Sequence, residues 1–110
     1  LGYTYILRGE YSLAIENLNE ANELDMNSAV NYDNLGYAHK LLGEYDLAIE
    51  NYYEAIELDP EYARAHAHLA ILYTEISEDH KALIEVESAV KHGYDRAKLE
   101  DAVSTIKNTR

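Results

Sequence analysis

A chain of 110 residues normally forms one domain, and the absence of cysteine excludes a disulfide framework and thiolate chemistry. The net charge of −12, from 21 acidic and 9 basic side chains, disfavours nucleic acid and anionic membranes as partners. No apolar run reaches the roughly 18–20 residues that a membrane-spanning helix needs.

Residues 1–8 read as the back half of a helix. The first residue is Leu rather than Met and the pattern enters partway through that helix, so the chain is expected to be a fragment of a longer one. Gly9-Glu10 predicts a turn into a second helix over 11–24, with Leu13, Ala14, Ile15, Leu18 and Ala21 as its apolar residues. Residues 25–28 form the next turn, and Asn27 or Ser28 is suited to cap the helix that follows.

Residues 32–60 hold two amphipathic patterns back to back. Leu35, Ala38 and Leu42 fall at i, i+3 and i+7; Ala48, Ile49, Tyr52, Ala55 and Ile56 follow i, i+1, i+4, i+7 and i+8. Gly43-Glu44 separates them, since glycine takes the left-handed conformation that ends a helix. Asp59-Pro60 closes the second, because proline pushes its predecessor out of the helical region. A third hairpin is predicted over 63–76 and 79–91, joined by Ser77-Glu78, with Ser77 in place of the turn glycine. Gly93 ends that pair, Asp95 caps a last helix, and Leu99, Ala102, Val103 and Ile106 give it one apolar face.

The hairpin recurs at a step of 34 residues. Gly2, Gly36 and Ala70 share one position, as do Leu1, Leu35 and Leu69, Ala14, Ala48 and Ala82, and Ala21, Ala55 and Ala89. Residues 1–28 match 35–62 at 17 of 28 positions. Such a period marks a stacked helical array. On these residues the chain resembles the tetratricopeptide repeat family, whose motif stands here as Tyr32, Leu35-Gly36, His39, Ala48, Tyr52, Ala55 and Pro60. It departs from the motif at His39 and Met26, where the family prefers Tyr and Pro.

The resemblance implies an all-α, right-handed superhelical solenoid of antiparallel helix pairs, with seven helices, the first truncated. One domain, 1–110, would comprise repeats at 1–28, 29–62 and 63–94 and a capping helix at 95–110. Gly36, Ala48, Ala55, Ala70, Ala82 and Ala89 are expected where helices approach closely. Tyr5, Tyr11, Tyr32, Tyr45, Tyr52 and Tyr73 are expected to pack between helices.

The acidity is uneven. The first helices of the hairpins carry Arg8, Lys40 and Arg64 against Asp33 and Glu75, whereas the second helices and turns are strongly acidic. In the resembled family those second helices lie on the outer, convex side. The glutamates are read as a solvated face. His66 and His68 are about 200° apart on one helix and cannot share a metal, and His66 is read as a packing residue. With no glycine-rich phosphate loop and no nucleophile elbow, the chain is not read as an enzyme, and no cofactor is implied.

What remains is the groove that the resemblance places along the first helices. Its outward positions are counted as Tyr3, Ile6 and Leu7, then Val30, Asp33, Asn34, Tyr37, Lys40 and Leu41, then Arg64, Ala67, His68, Ile71, Thr74 and Glu75. Tyr3, Asn34, Tyr37, Lys40, Leu41, Arg64, His68 and Ile71 are the candidate contacts. Family members that hold acidic chaperone tails use Lys, Asn and Arg from successive repeats. Asn34, Arg64 and His68 match part of that clamp, but Tyr3 stands where it needs Asn, and its first Lys position falls before Leu1. The expected function is a protein–protein interaction scaffold for a neutral to mildly acidic peptide or helix with an apolar anchor. The alternatives are a self-assembly module, associating weakly through residues 1–24, and an accessory domain of a larger enzyme or regulator. The compartment is left open.

Overall fold

The structure, a computed structural model, describes residues 2–24 and 28–110, with side chains from residue 9 onward. Its helices are α1 (Gly2–Leu24), α2 (Ala29–Leu41), α3 (Tyr45–Leu58), α4 (Ala63–Glu75), α5 (Asp79–Lys91) and α6 (Arg96–Thr109), and there is no strand among the described residues. Ser28 caps α2, its hydroxyl accepting from the Asn31 amide at 3.1 Å. Asp95 caps α6 in the same way, accepting from the Lys98 amide at 3.0 Å. Asn27, the other capping candidate for α2, lies outside the described residues.

Three helix ends share one stop. Gly43 (φ +80°), Ser77 (φ +63°) and Gly93 (φ +103°) are left-handed. In each case that residue's amide donates to the carbonyl three residues back, and the next amide donates to the carbonyl five residues back. These paired bonds satisfy carbonyls that the helix leaves open. Ser77 forms the same turn as the glycines, at a cost of about 1–2 kcal/mol for a side chain held left-handed. Ser77→Gly should therefore raise stability by up to about 1 kcal/mol in chemical unfolding.

One predicted turn is absent. Residues 2–24 form a single 23-residue helix, so the described chain has six helices rather than seven. Gly9 lies inside α1 with no left-handed φ, and a Cβ built there meets nothing within 4 Å. A helical glycine costs about 1 kcal/mol relative to alanine but does not by itself break a helix. Continuing the helix keeps every backbone hydrogen bond in register.

By their contacts the helices fall into two units, Leu1–Leu58 and Asp59–Arg110. In the first unit α2 packs on both α1 and α3. Ala48, Tyr52 and Ala55 of α3 are fully buried, and Leu35, Gly36 and Ala38 are buried on α2. A Cβ on Gly36 would fall 2.7 Å from Cδ1 and Cε1 of Tyr52, so only hydrogen fits between backbone and ring. The expectation that the motif tyrosines pack as core holds for Tyr52 and Tyr73. Tyr11 and Tyr32 are only half-buried, and Tyr45, the first residue of α3, is 40% exposed at its helix end. Tyr5 lies outside the residues with described side chains.

In the second unit α4 packs against α5 and α6. Ala67, Ala70, Val86, Ala89 and Leu99 form its core, with Ile71, Val90, Tyr94 and Val103 against it. Two arginines, Arg96 at the start of α6 and Arg110 just past its end, clamp it to α5. Arg96 makes a paired contact with Glu87 (2.9 and 2.8 Å), and Arg110 makes one with Asp79 (2.7 and 2.6 Å). Arg110 also donates to the Thr74 carbonyl in the last turn of α4 at 2.8 Å.

These hydrogen bonds hold the Asp79 and Glu87 carboxyls below their usual range. Both therefore bind protons more weakly in the folded chain than in the unfolded one. Their contribution to stability is complete above the unfolded values, near pH 4, and is lost as pH falls through the lower folded values. The unfolding midpoint of the second unit should drop on acidification below about pH 4, and the drop should be shallower in the Arg96→Ala, Arg110→Ala double variant.

Candidate partner-binding face

On α2, Asn34, Tyr37 and Leu41 fall at i, i+3 and i+7 and share one side of the helix. The helix is fixed from behind by Leu35, Gly36 and Ala38, which leaves Tyr37 43% and Leu41 38% exposed. The Lys40 ammonium lies 5.7 Å from the centroid of the Tyr37 ring, where the negative π face attracts it. Opposite stands α1. Its Tyr11, Ala14, Asn17 and Leu18 face Asn34, Tyr37, Ala38 and Leu41 across a cleft of about 430 Å³. Four of the eight predicted contacts, Asn34, Tyr37, Lys40 and Leu41, are thus gathered on α2. Tyr3, and with it Ile6 and Leu7, lies outside the residues with described side chains.

The positions counted outward on α4 divide. Arg64 is exposed and His68 half-buried, one turn apart on the same helix. Ala67 and Thr74 are fully buried, and Ile71 is half-buried against the core. The reason is α6, which contributes Leu99 and Val103 to the core that Ala67 and Ile71 join. The Thr74 hydroxyl turns back to the Ala70 carbonyl at 2.8 Å. Asp33 of α2, also counted outward, is fully buried. Helical spacing assigns a side of one cylinder, whereas burial depends on which neighbours lie against it.

A buried polar pair is the feature that sequence reading missed. His66 Nε2 lies 3.1 Å from the Pro60 carbonyl and Nδ1 lies 2.8 Å from Glu85 Oε1. The His92 ring stacks on His66 at 5.8 Å. A carbonyl only accepts, so Nε2 donates to it, and a second hydrogen bond joins Nδ1 to the Glu85 carboxyl. The result ties α4, α5 and the Pro60 turn together. Glu85 is therefore an exception to the reading of the glutamates as a solvated face. The available signal was the apolar spacing itself: Glu85 falls beside Ala82, Val86 and Ala89, on the face that α5 buries.

No helix among the described residues is long and apolar enough to cross a membrane. No three His, Cys, Asp or Glu side chains among them converge as metal ligands. The outer surface of α3 carries Asp46, Glu50, Glu54 and Glu57 and no basic residue.

Residues 36–76 match the family model described as TPR repeat, the tetratricopeptide repeat. No curated protein matches the chain. Among solved structures, the fold is similar to the TPR2B domain of yeast Sti1, solved as a complex with pHsp70. The TM-score is 0.80 at 23% identity, over 99% of this chain and 92% of that one. It is also similar to SycD, the type III secretion translocator chaperone of Yersinia enterocolitica, with a TM-score of 0.79 at 21% identity over 98% and 83% of the two chains. At these identities the likeness establishes an all-α fold of paired helices.

Proposed function

We propose that this chain, whose residues 36–76 match the tetratricopeptide repeat model, is a protein–protein interaction scaffold rather than a catalyst, holding a peptide or helical segment of a partner against the first helices of its hairpins. The observation that carries this reading is the α2 face, where an exposed tyrosine and leucine line an apolar cleft and an asparagine stands at its edge. In this reading Tyr37 and Leu41 supply apolar contact, and Asn34 bonds a ligand backbone group. Arg64 and His68 of α4 are a second contact set suited to a carboxylate, with Ile71 offering only its exposed edge. One similar structure is a complex with pHsp70 and the other is a secretion translocator chaperone, which favours a protein ligand here as well.

The ligand expected for this face is neutral or mildly acidic with an apolar anchor. The alternative surface, α3 with its four acids, would select basic segments. Selecting a random displayed-peptide library on the protein separates the two. Enriched sequences with an apolar anchor and no excess of Lys or Arg are the expected result; enrichment of basic sequences would overturn the reading.

A further inference from the structure

We propose that the cleft between α1 and α2 seats residues 2–8 of a second copy of this chain, so that two chains exchange arms through their unbroken α1 helices. This rests on the reading of that cleft as a seat for a helical segment, and it names the segment.

The internal repeat identifies the occupant. In the second hairpin the face formed by Ala48, Tyr52 and Ala55 is covered completely, with Gly36 of α2 pressed on the Tyr52 ring. The same face of α1, 34 residues earlier, is Ala14, Leu18 and Ala21, and it is only half-covered. The segment that covers α3 begins LGYAHKLL at residue 35, and its counterpart at residue 1 is LGYTYILR. The arm and the half-covered face are therefore a matched pair by sequence.

Within one chain the two cannot meet while α1 is straight, because residues 2–8 and 11–24 then lie along one axis. Closing the hairpin would need a left-handed residue at the turn, as at Gly43 (+80°) and Ser77 (+63°). Gly9, which stands 34 residues before Gly43, is helical instead. An arm from a second chain reaches the face without any bend. A two-fold axis then places the first chain's arm in the second chain's cleft, giving a closed, self-complementary dimer.

The chain has no cysteine, so introduced thiols report the contact alone. Gly2 and Leu18 occupy the repeat positions of Gly36 and Tyr52, which touch in the second hairpin. Mixing Gly2→Cys chains with Leu18→Cys chains under mild oxidation should give a disulfide-linked pair. Mixing Gly2→Cys with Glu16→Cys, about 200° around α1, should give none. No linked pair, equal linkage at 16 and 18, or a Gly2→Cys, Leu18→Cys double variant that closes on itself at micromolar concentration would each overturn the exchange.

A second measurement covers the case in which Leu18→Cys fails to fold. Light scattering over a concentration series should show a dimer whose share rises in Gly9→Ala, since alanine favours the unbroken helix. A monomer throughout for both chains overturns the proposal. The two readings fail separately: selected peptides without interchain linkage end the exchange alone, and linkage without selected peptides ends the foreign-partner reading alone.

Discussion

Tyr52→Ala is expected to destabilise the first unit by about 3–5 kcal/mol in urea or guanidinium unfolding, while Glu50→Ala on the same helix changes it by less than about 0.5 kcal/mol. Tyr52 is fully buried, and its removal leaves a hole between α2 and α3 that rigid helix backbones fill only in part. Glu50 is exposed. Gly36 sharpens the test. Gly36→Ala alone should cost about 1–3 kcal/mol, because its Cβ would arrive 2.7 Å from the ring and the ring base cannot swing away. In the Tyr52→Ala background the ring is gone, and the same change should become neutral or favourable by up to about 1 kcal/mol through helix propensity. The two substitutions should therefore couple strongly and in opposite sense to simple addition. Additive effects would show that Gly36 is not held by contact with Tyr52.

For a peptide selected on this protein, Tyr37→Ala should weaken binding by about 1–3 kcal/mol, or roughly 5- to 150-fold in Kd. An aromatic anchor contributes area at low cost in side-chain entropy, and here the ring is already positioned by a helix fixed from behind. The Lys40 ammonium over one face narrows its freedom further. Glu54→Ala, on the acidic outer surface of α3, should leave Kd almost unchanged. Salt offers an independent check, since a ligand on the Tyr37 face should lose little affinity between low and moderate ionic strength. If Glu54→Ala is the damaging change and Tyr37→Ala is silent, the partner grips the acidic surface instead.

Most of the fold was legible in the sequence because local chemistry and global packing ask for the same residues. The period of Ala48, Tyr52 and Ala55 marks a buried stripe whatever lies against it, and Ser28, Gly43, Asp59-Pro60 and Asp95 set helix ends through their own backbone preferences. Five of the six helices accordingly follow the expected spans, and residues 36–76 match the repeat already visible at a step of 34. Even Ser77, with no glycine to favour it, makes the expected turn, because the helices on either side demand it. Three things were decided only by the tertiary structure. Gly9 was free to turn or to continue, and its helical state in the structure is a choice that the local pattern does not set. Asp33, Ala67 and Thr74 were placed outward by helical period, but a period assigns an angle and not a neighbour. Glu85 reads as one more surface acid until His66 from another helix supplies the hydrogen bond that makes its burial affordable. Each of these turns on a contact between residues far apart in the chain, which no local pattern encodes.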